Sequence, residues 1–273
     1  MIAKTKYIAK KPDAQGYIDY SEAENAVWKT LYNRQYPLVA ERAHPAYLKG
    51  LDVLGLNNQR IPQCVEVSRI LQATTGWSVA PVEALISFES FFQMLANRQF
   101  PAASFIRVPE ELDYLQEPDI FHELFGHCPM LTDQTFADFT HNYGKLGLKA
   151  STKERVYLAR LYWFTVEFGL IQTQEELKIY GGGILSSYGE TLYALDSSIP
   201  ERKPFDILTM LRTPYRYDIM QTVYFVLNGL DDLYQVMQQD LMALVKQASE
   251  LGMLPASFPP KDGGGKEPEV RSC

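Results

Sequence analysis

The sequence has little cysteine and no long apolar run, and both absences narrow its class. The three cysteines, Cys64, Cys128 and Cys273, are odd in number and far apart, so they suit neither a disulfide framework nor a zinc finger. We therefore expect a cytoplasmic protein, in a reducing compartment. No run of about eighteen apolar residues occurs, which predicts that no helix spans a membrane. Residues 1–11 are basic without an apolar stretch, so we expect no signal peptide.

Net positive charge and phosphate-binding patterns are also absent. The formal net charge is −7, which argues against nucleic acid or an anionic membrane surface as the main partner. The glycines in residues 180–183 follow neither the G-x-G-x-x-G nor the Walker pattern. We interpret this stretch as a flexible loop rather than a phosphate cradle.

Apolar and aromatic residues, by contrast, are abundant enough for a substantial core. The chain has 273 residues, of which 46% are hydrophobic, and it is long enough for one large domain or two small ones. We predict an extended arm over residues 1–20 and one folded domain over residues 21–254. Proline and glycine accumulate in residues 255–273, which predicts a disordered tail.

Helix signals dominate the folded part of the chain. Ser21 and Glu24 form the pattern of a capping box, which predicts a helix that ends near Pro37. Residues 153–172 are apolar nearly all round and predict one long buried helix. Further helices are predicted over residues 219–227 and 231–251, and small β-hairpins are predicted from residues 103–107 with 114–115 and over residues 204–217.

The segment P-D-I-F-H-E-L-F-G-H-C-P-M carries the clearest functional signal. It contains His122 and His127, two of the four histidines, and two close imidazoles suit zinc, copper, iron or nickel. On an ideal α-helix, residues five apart diverge by roughly 140°, so both can reach one metal only if the helix ends or distorts between them. Gly126 favours an ending. We predict a helix over residues 119–126, with His127 on the turn beyond it.

A second signal is the carboxylate of Glu167 within L-Y-W-F-T-V-E-F-G-L. Burying an unpaired carboxylate is costly, so Glu167 needs a metal, a proton or a cation such as Arg155 or Arg160. Together with His122 and His127 it would complete the 2-His-1-carboxylate set of non-haem Fe(II) oxygenases. The same ligand types also bind catalytic zinc, so they leave the choice of metal open.

Three segments, E-P-D-I-F-H-E-L-F-G-H, Y-W-F-T-V-E-F-G-L and G-G-G-I-L-S-S-Y-G-E, resemble the pterin-dependent aromatic amino acid hydroxylases. The similarity is greatest to bacterial members that act on phenylalanine, and it runs over about residues 15–251. It implies a mainly α fold, with a single catalytic domain of packed helices and small β-hairpins around a buried non-haem iron site. The implied activity is that of a phenylalanine 4-monooxygenase, which converts L-phenylalanine to L-tyrosine with O2, Fe(II) and a tetrahydropterin, either tetrahydrobiopterin or a related bacterial pterin.

The resemblance also implies roles for individual residues. His122, His127 and Glu167 match the iron ligands. The residues that match substrate contacts are Arg107, Tyr114, Pro118, Asp119, Trp163, Phe168, Gly183 and Ser186. The residues that match positions near the pterin are Phe91, Glu123 and Tyr162, and Glu123 is also a catalytic candidate.

Other interpretations of these residues stay open. Core packing is the alternative for Phe91 and Trp163, and a surface strand is the alternative for Arg107. Glu123 also suits the first turn of a helix, where the helix dipole favours an acid. The chain departs from the animal members of the family at Leu115, where they carry threonine, and at Pro101, where they carry histidine.

Alternative functions are the same chemistry on tyrosine or tryptophan, a zinc hydrolase on the same ligands, and a metal-stabilised helical interaction module. Trp163 disfavours tryptophan, because the tryptophan hydroxylases carry a smaller phenylalanine at the matching position. Phenylalanine catabolism is the implied role. We expect the partners to be L-phenylalanine, O2 and the tetrahydropterin, without nucleic acid or membrane, and we expect a monomer or dimer.

Overall fold

The structure, a computed structural model, describes residues 7–83, 86–115 and 117–260. Over these residues the chain is mainly α-helical with two small β-sheets, which confirms the predicted fold class. The helices are α1 (Glu22–Arg42), α2 (Pro45–Leu54), α3 (Cys64–Thr74), α4 (Phe88–Ala96), α5 (Gln134–Lys149), α6 (Thr152–Tyr162), α7 (Gly182–Leu185), α8 (Tyr188–Asp196), α9 (Ile207–Arg212), α10 (Asp231–Gln238) and α11 (Leu241–Leu251). The strands are β1 (Ser78–Val82), β2 (Gln99–Ala103), β3 (Gly169–Gln172), β4 (Leu177–Ile179), β5 (Glu201–Pro204) and β6 (Val223–Leu227).

Two π-helical segments and two short 3-10 helices complete the secondary structure of the described residues. The π-helices are π1 (His122–His127) and π2 (Trp163–Glu167), and the 3-10 helices are Pro109–Glu111 and Met130–Thr132. Within the described ranges, every helix is too short or too polar to cross a membrane. Parts of the predicted arm and tail, residues 1–6 and 261–273, lie outside the described residues, so the predicted domain boundaries stay predictions.

The two sheets differ from the predicted hairpins. Strands β1 and β2 pair in parallel, and the larger sheet has the order β4-β3-β6-β5, with β6 parallel to both of its neighbours. The hairpin predicted from residues 103–107 is therefore wrong, because β2 ends at Ala103. The hairpin predicted over residues 204–217 is also wrong, because Asp206 caps helix α9 by accepting a hydrogen bond from the Thr209 amide.

Several predicted helices have different limits. The predicted capping box at Ser21 is confirmed, but α1 continues through Pro37 to Arg42, because the buried Gln35 and Val39 on either side of the proline pack into the fold. Residues 219–227 are wrongly predicted as helix: five of them form strand β6, whose β-branched and aromatic side chains suit a buried central strand. The helix predicted over residues 231–251 is two helices, and the second is capped by Asp240.

Both segments that carry candidate metal ligands are π-helical, and π2 directly continues helix α6. The predicted distortion between the two histidines is present, but the predicted ending at Gly126 is wrong, since His127 belongs to π1. The Cys128 amide donates to the carbonyl of Glu123, five residues back. The predicted helix over residues 153–172 ends in π2, and the chain continues as strand β3. In a π-helix the hydrogen bonds join residues five apart, which brings His122 and His127 to the same side.

Helix α7 begins at Gly182, inside the stretch of residues 180–183 that was predicted to be a flexible loop. All four of these residues are buried, and α7 packs against π1 and π2. The core around them is rich in large aromatic side chains, and those fully buried include Trp28, Trp77, Tyr47, Phe121, Phe125 and Phe164. The two ligand-bearing segments and α7 therefore meet inside the fold.

Candidate metal centre and substrate cavity

Three ligand atoms from π1 and π2 converge in the centre of the fold. The two imidazole Nε2 atoms of His122 and His127 are 3.0 Å apart. The Glu167 carboxylate lies 3.2 Å from His127 Nε2 and 3.8 Å from His122 Nε2. Two ligands bound at right angles to one metal, each at about 2.1 Å, are about 3.0 Å apart. The 3.0 and 3.2 Å separations match this spacing, whereas the 3.8 Å separation, which involves the other carboxylate oxygen, is longer, so the arrangement is close to one face of an octahedral site.

The surroundings of Glu167 favour the metal-ligand interpretation over an ion pair with an arginine. Glu167 is 3% exposed and lies against the two imidazoles. The Arg155 Nε group donates to the carbonyl of Gly147, and its guanidinium lies over the Phe92 ring. The Arg160 guanidinium donates to the Val156 carbonyl and lies over Tyr157. The roles of the three ligands stay predictions that this geometry supports.

Ser186 sets the orientation and tautomer of His122. The Ser186 hydroxyl donates to the carbonyl of Gly182 at 2.9 Å, so it is available as an acceptor for the Nδ1–H group of His122, also at 2.9 Å. This leaves the Nε2 lone pair of His122 directed at the other two ligands, as in other metal sites where an outer hydrogen bond orients a histidine. Burial, and then the nearby His127, lower the pKa of His122 to about 4, so this imidazole is neutral and able to bind a metal.

The glycines of α7 allow its backbone to approach the ligands closely. A Cβ atom on Gly182 would lie 2.4 Å from His127 Nδ1, and one on Gly183 would lie 2.7 Å from a Glu167 carboxylate oxygen. Neither space admits a side chain. Gly183, predicted as a substrate residue, therefore also determines how closely the main chain packs against Glu167.

Arg107 and Asp119 form a buried, bidentate ion pair. Arg107 Nε and Nη2 donate to the two carboxylate oxygens of Asp119 at 2.8 and 3.0 Å. Burial raises the pKa of Asp119, but the Arg107 charge and the hydrogen bonds that Asp119 accepts outweigh it and hold that pKa below its usual value. The surface-strand alternative for Arg107 is wrong, because its side chain is buried and irregular backbone follows β2.

A cavity of about 390 Å³ opens above the ligands. His122 and Glu167 lie in its wall, and it contains seven of the eight residues predicted to contact substrate: Arg107, Tyr114, Pro118, Trp163, Phe168, Gly183 and Ser186. The eighth, Asp119, is fully buried behind Arg107. The structure thus brings the predicted substrate residues together, around the guanidinium and the metal ligands.

The residues predicted near the pterin do not line this cavity. Phe91 and Tyr162 are buried and contact each other edge to face, with ring centroids 5.3 Å apart. Glu123 is also buried, and burial together with the Glu167 charge raises its pKa well above the usual value for glutamate. Glu123, His122 and His127 offer ligand atoms within 4.8 Å of one another, so a second carboxylate lies beside the centre. The pterin roles of these residues stay predictions.

Sequence reasoning missed several residues of the cavity wall. Tyr215 stacks on Trp163 with ring centroids 4.3 Å apart, and Gln221 accepts a hydrogen bond from the Trp163 indole. Glu190 also lines the cavity and accepts hydrogen bonds from the backbone N–H group of Gln221 and the Tyr224 hydroxyl. The clustered tyrosines and arginine of P-Y-R-Y-D, from Pro214 on, are a signal that could have indicated a site, whereas nothing in the sequence singles out Gln221.

Two histidines and a glutamate that converge beside an open cavity are the donor set of the mononuclear non-haem Fe(II) oxygenases. Residues 1–250 match the family model for biopterin-dependent aromatic amino acid hydroxylases. The chain is 59% identical over 260 residues to a phenylalanine-4-hydroxylase of Vibrio cholerae, which covers 95% of this chain and 90% of that protein. The chain belongs to the biopterin-dependent aromatic amino acid hydroxylase family.

Solved structures agree with this assignment. The apo structure of the cold-active phenylalanine hydroxylase of Colwellia psychrerythraea superposes with a TM-score of 0.91 at 53% identity, covering 93% of this chain and 98% of that one. A structure of Chromobacterium violaceum phenylalanine hydroxylase with bound iron(III) and 7,8-dihydrobiopterin superposes with a TM-score of 0.84 at 42% identity, covering 92% of this chain and 93% of that one.

Proposed function

We infer that this protein is a phenylalanine 4-monooxygenase, which converts L-phenylalanine to L-tyrosine with O2 and a tetrahydropterin at an Fe(II) centre. The single observation that supports this most strongly is the cavity whose wall contains an arginine, an aromatic surface and two of the three candidate metal ligands, with the third, His127, against Glu167. When bound, Fe(II) and the pterin supply the activation of O2. The residues of the chain supply binding, orientation and exclusion of water.

Arg107 is the proposed partner of the substrate carboxylate. A guanidinium has five N–H donors, and the hydrogen bonds to Asp119 use two of them. The donors that are left serve a second carboxylate in the planar geometry that arginine favours. The two hydrogen bonds to Asp119 hold the Arg107 guanidinium in place. The amino acid end of the substrate is therefore fixed at one side of the cavity.

The aromatic wall positions the ring of the substrate. Trp163 and Phe168 line the cavity with ring centroids 4.4 Å apart, beside the Glu167 carboxylate. They provide an apolar surface for a phenyl ring and keep water from it, which strengthens the electrostatic interactions of the site. With the carboxylate held at Arg107, one end of the ring is directed at the metal ligands.

The proposed location and assembly state rest on less specific features. The two cysteines in the described part of the chain, Cys64 and Cys128, are unpaired and buried, and burial raises the pKa of Cys64 to about 12. Such inert thiols agree with a reducing cytoplasm, which is the location we propose. The partners we propose are the small molecules of the reaction, and a monomer or dimer stays a prediction.

The test is tyrosine formation from L-phenylalanine with Fe(II), O2 and a tetrahydropterin, measured by chromatography. We expect product with Fe(II) and none with Zn(II), and we expect phenylalanine to be used with a higher kcat/KM than tyrosine or tryptophan. Hydrolytic activity of a zinc-loaded protein without hydroxylation would contradict the proposal. Preferential hydroxylation of tyrosine would agree with the proposed reaction type but contradict phenylalanine as the preferred substrate.

A further inference from the structure

The indole of Trp163 is held at its edge by a side chain from a distant part of the chain. Trp163 Nε1–H donates to Gln221 Oε1 at 2.9 Å, across 58 residues. Both side chains line the cavity, and Gln221 is buried. A buried indole N–H needs such a partner, since leaving it without one costs more than an ordinary hydrogen bond contributes.

Two backbone carbonyls determine the orientation of the Gln221 side-chain amide. Its Nε2 group donates to the carbonyls of Arg216 at 2.7 Å and Ile219 at 3.2 Å, so this end must be the NH2 group. The oxygen is therefore the end that faces Trp163. The backbone amide of Gln221 donates to Glu190 at 3.1 Å, which fixes the main chain at the same point.

Contacts between ring faces alone do not restrict movement of the Trp163 indole within its own plane. Tyr215 stacks on the indole with a centroid distance of 4.3 Å, and the Phe168 ring, tilted by 31° to the indole, lies 4.4 Å from it. Contacts between ring faces restrict tilting, but they are not directional within the plane of the ring. The hydrogen bond at Nε1 is directional, so it determines which edge of the indole faces the cavity.

We propose that Gln221 is a positioning residue that sets the substrate wall by holding the Trp163 indole, and thereby determines how well the cavity discriminates phenylalanine from other aromatic amino acids. This proposal rests on the proposed function. It adds a residue of the cavity wall that holds the edge of the indole and connects it to the segment from Arg216 to Gln221.

The hydrogen bond itself is tested by NMR of the indole N–H groups in the zinc-loaded full-length protein. The chain has three tryptophans, and Trp163→Phe assigns the resonance of Trp163. In Gln221→Met, which keeps the length of the side chain without its acceptor, the Trp163 indole proton should shift upfield and exchange faster. Trp28, which donates to the Asn57 carbonyl, and Trp77 should not move. An unmoved Trp163 resonance would overturn the proposal.

Gln221→Glu separates the indole contact from the other contacts of Gln221. Both variants lose the amide donor to Arg216 and Ile219, but glutamate keeps an oxygen for the indole. The Trp163 resonance should stay near its wild-type position in Gln221→Glu. If it moved as far as in Gln221→Met, the segment from Arg216 to Gln221 would be the cause, and the positioning role would be rejected. This variant also provides the test should Gln221→Met fold poorly.

The functional consequence is tested by a double-mutant cycle on phenylalanine. A hydrogen bond of ordinary strength predicts that Gln221→Met raises the phenylalanine KM about two- to tenfold, with a smaller change in kcat. The kcat/KM for phenylalanine relative to that for tryptophan should fall. In the Trp163→Phe background, which has no indole N–H, the same substitution should have less than about a twofold effect. An undiminished effect in that background would mean that Gln221 acts directly on substrate, which overturns the proposal.

Two measurements keep this test independent of turnover and of stability. Calorimetric binding of L-phenylalanine to the zinc-loaded protein gives the same comparison without hydroxylation, so failure of the proposed reaction is distinguished from failure of the positioning role. Gln63→Met is the matched control, because Gln63 is also a buried glutamine, hydrogen-bonded in both directions to the backbone of Ile18. It should lose stability without shifting the Trp163 resonance or the phenylalanine affinity, and a shift of that resonance would count against the proposal.

Discussion

Gly182→Ala separates two opposite interpretations of the glycine-rich stretch. If residues 180–183 formed a flexible loop, alanine would stabilise the protein by about 0.4–1 kcal/mol, because it restricts the unfolded chain. In the structure Gly182 begins α7, and a Cβ atom there would lie 2.4 Å from His127 Nδ1 and 2.6 Å from Cε1. Ordinary contact begins near 3.4 Å, so the imidazole would have to move by about 1 Å.

The imidazole has little room for such a movement. His127 is 2% exposed, and the Phe100 ring lies against it with a centroid distance of 5.4 Å. Overpacking of this kind costs about 1–3 kcal/mol of the free energy of unfolding. A metal–nitrogen bond of about 2.1 Å tolerates a displacement of about 0.2 Å, so a movement five times larger removes the ligand from the metal. We expect iron affinity to fall at least about 10–100-fold, as it does when a supporting group is lost.

The assay measures iron stoichiometry and the urea-unfolding free energy of the metal-free protein for each variant. Gly229→Ala is the matched control, since a Cβ atom on Gly229 would meet nothing within 4 Å. It should retain iron and change stability by less than about 0.5 kcal/mol. If Gly182→Ala retained full iron and were as stable as the control, the close packing of α7 on His127 would be refuted.

Three other substitutions test the remaining parts of the site. Arg107→Lys keeps the charge but loses the fork, so the phenylalanine KM in steady-state assays should rise at least about tenfold at unchanged iron content. An unchanged KM would remove Arg107 from substrate recognition. Glu167→Gln should lower iron stoichiometry and hydroxylation without lowering the melting temperature of the metal-free protein, because a neutral amide is cheaper to bury; normal iron with a large loss of melting temperature would indicate an ion pair instead. Because burial and the Glu167 charge raise the pKa of Glu123 in the folded protein, the metal-free protein loses stability as pH rises from the ordinary glutamate pKa towards the raised one. Glu123→Gln should therefore resist urea better than wild type at about pH 8 and nearly equally at about pH 5, and equal resistance at both pH values would contradict the raised pKa.

The predicted ligands and substrate residues could be read from the sequence because they are chemically distinctive side chains in long, ordered segments. His122, His127 and Glu167 meet as expected. The geometry that brings them together was only partly predictable. The five-residue spacing required a distortion of the helix, but an ending at Gly126 and a π-helix satisfy the same requirement. The hydrogen bond from the Cys128 amide to the Glu123 carbonyl, formed inside the buried fold, favours the π-helix.

Strand assignments were less accurate, because local sequence is ambiguous for short apolar runs. Val223–Leu227 suits a helix or a strand by composition, and it becomes a strand because β3 and β5 lie on either side of it. The end of the helix before Gly169 likewise depends on pairing with Phe225, more than fifty residues later. The residues near either strand do not by themselves indicate such long-range pairing.

The sequence by itself determined the membership of a family and which side chains are the candidates for metal and carboxylate binding, because these depend on residue types and their order along the chain. Tertiary structure alone decided how closely Gly182 approaches His127 and which side chain holds Trp163. Those features are distances between residues that are far apart in sequence, here 58 positions for Trp163 and Gln221. They arise only when the core is packed, since close packing decides which partners each buried polar group can reach.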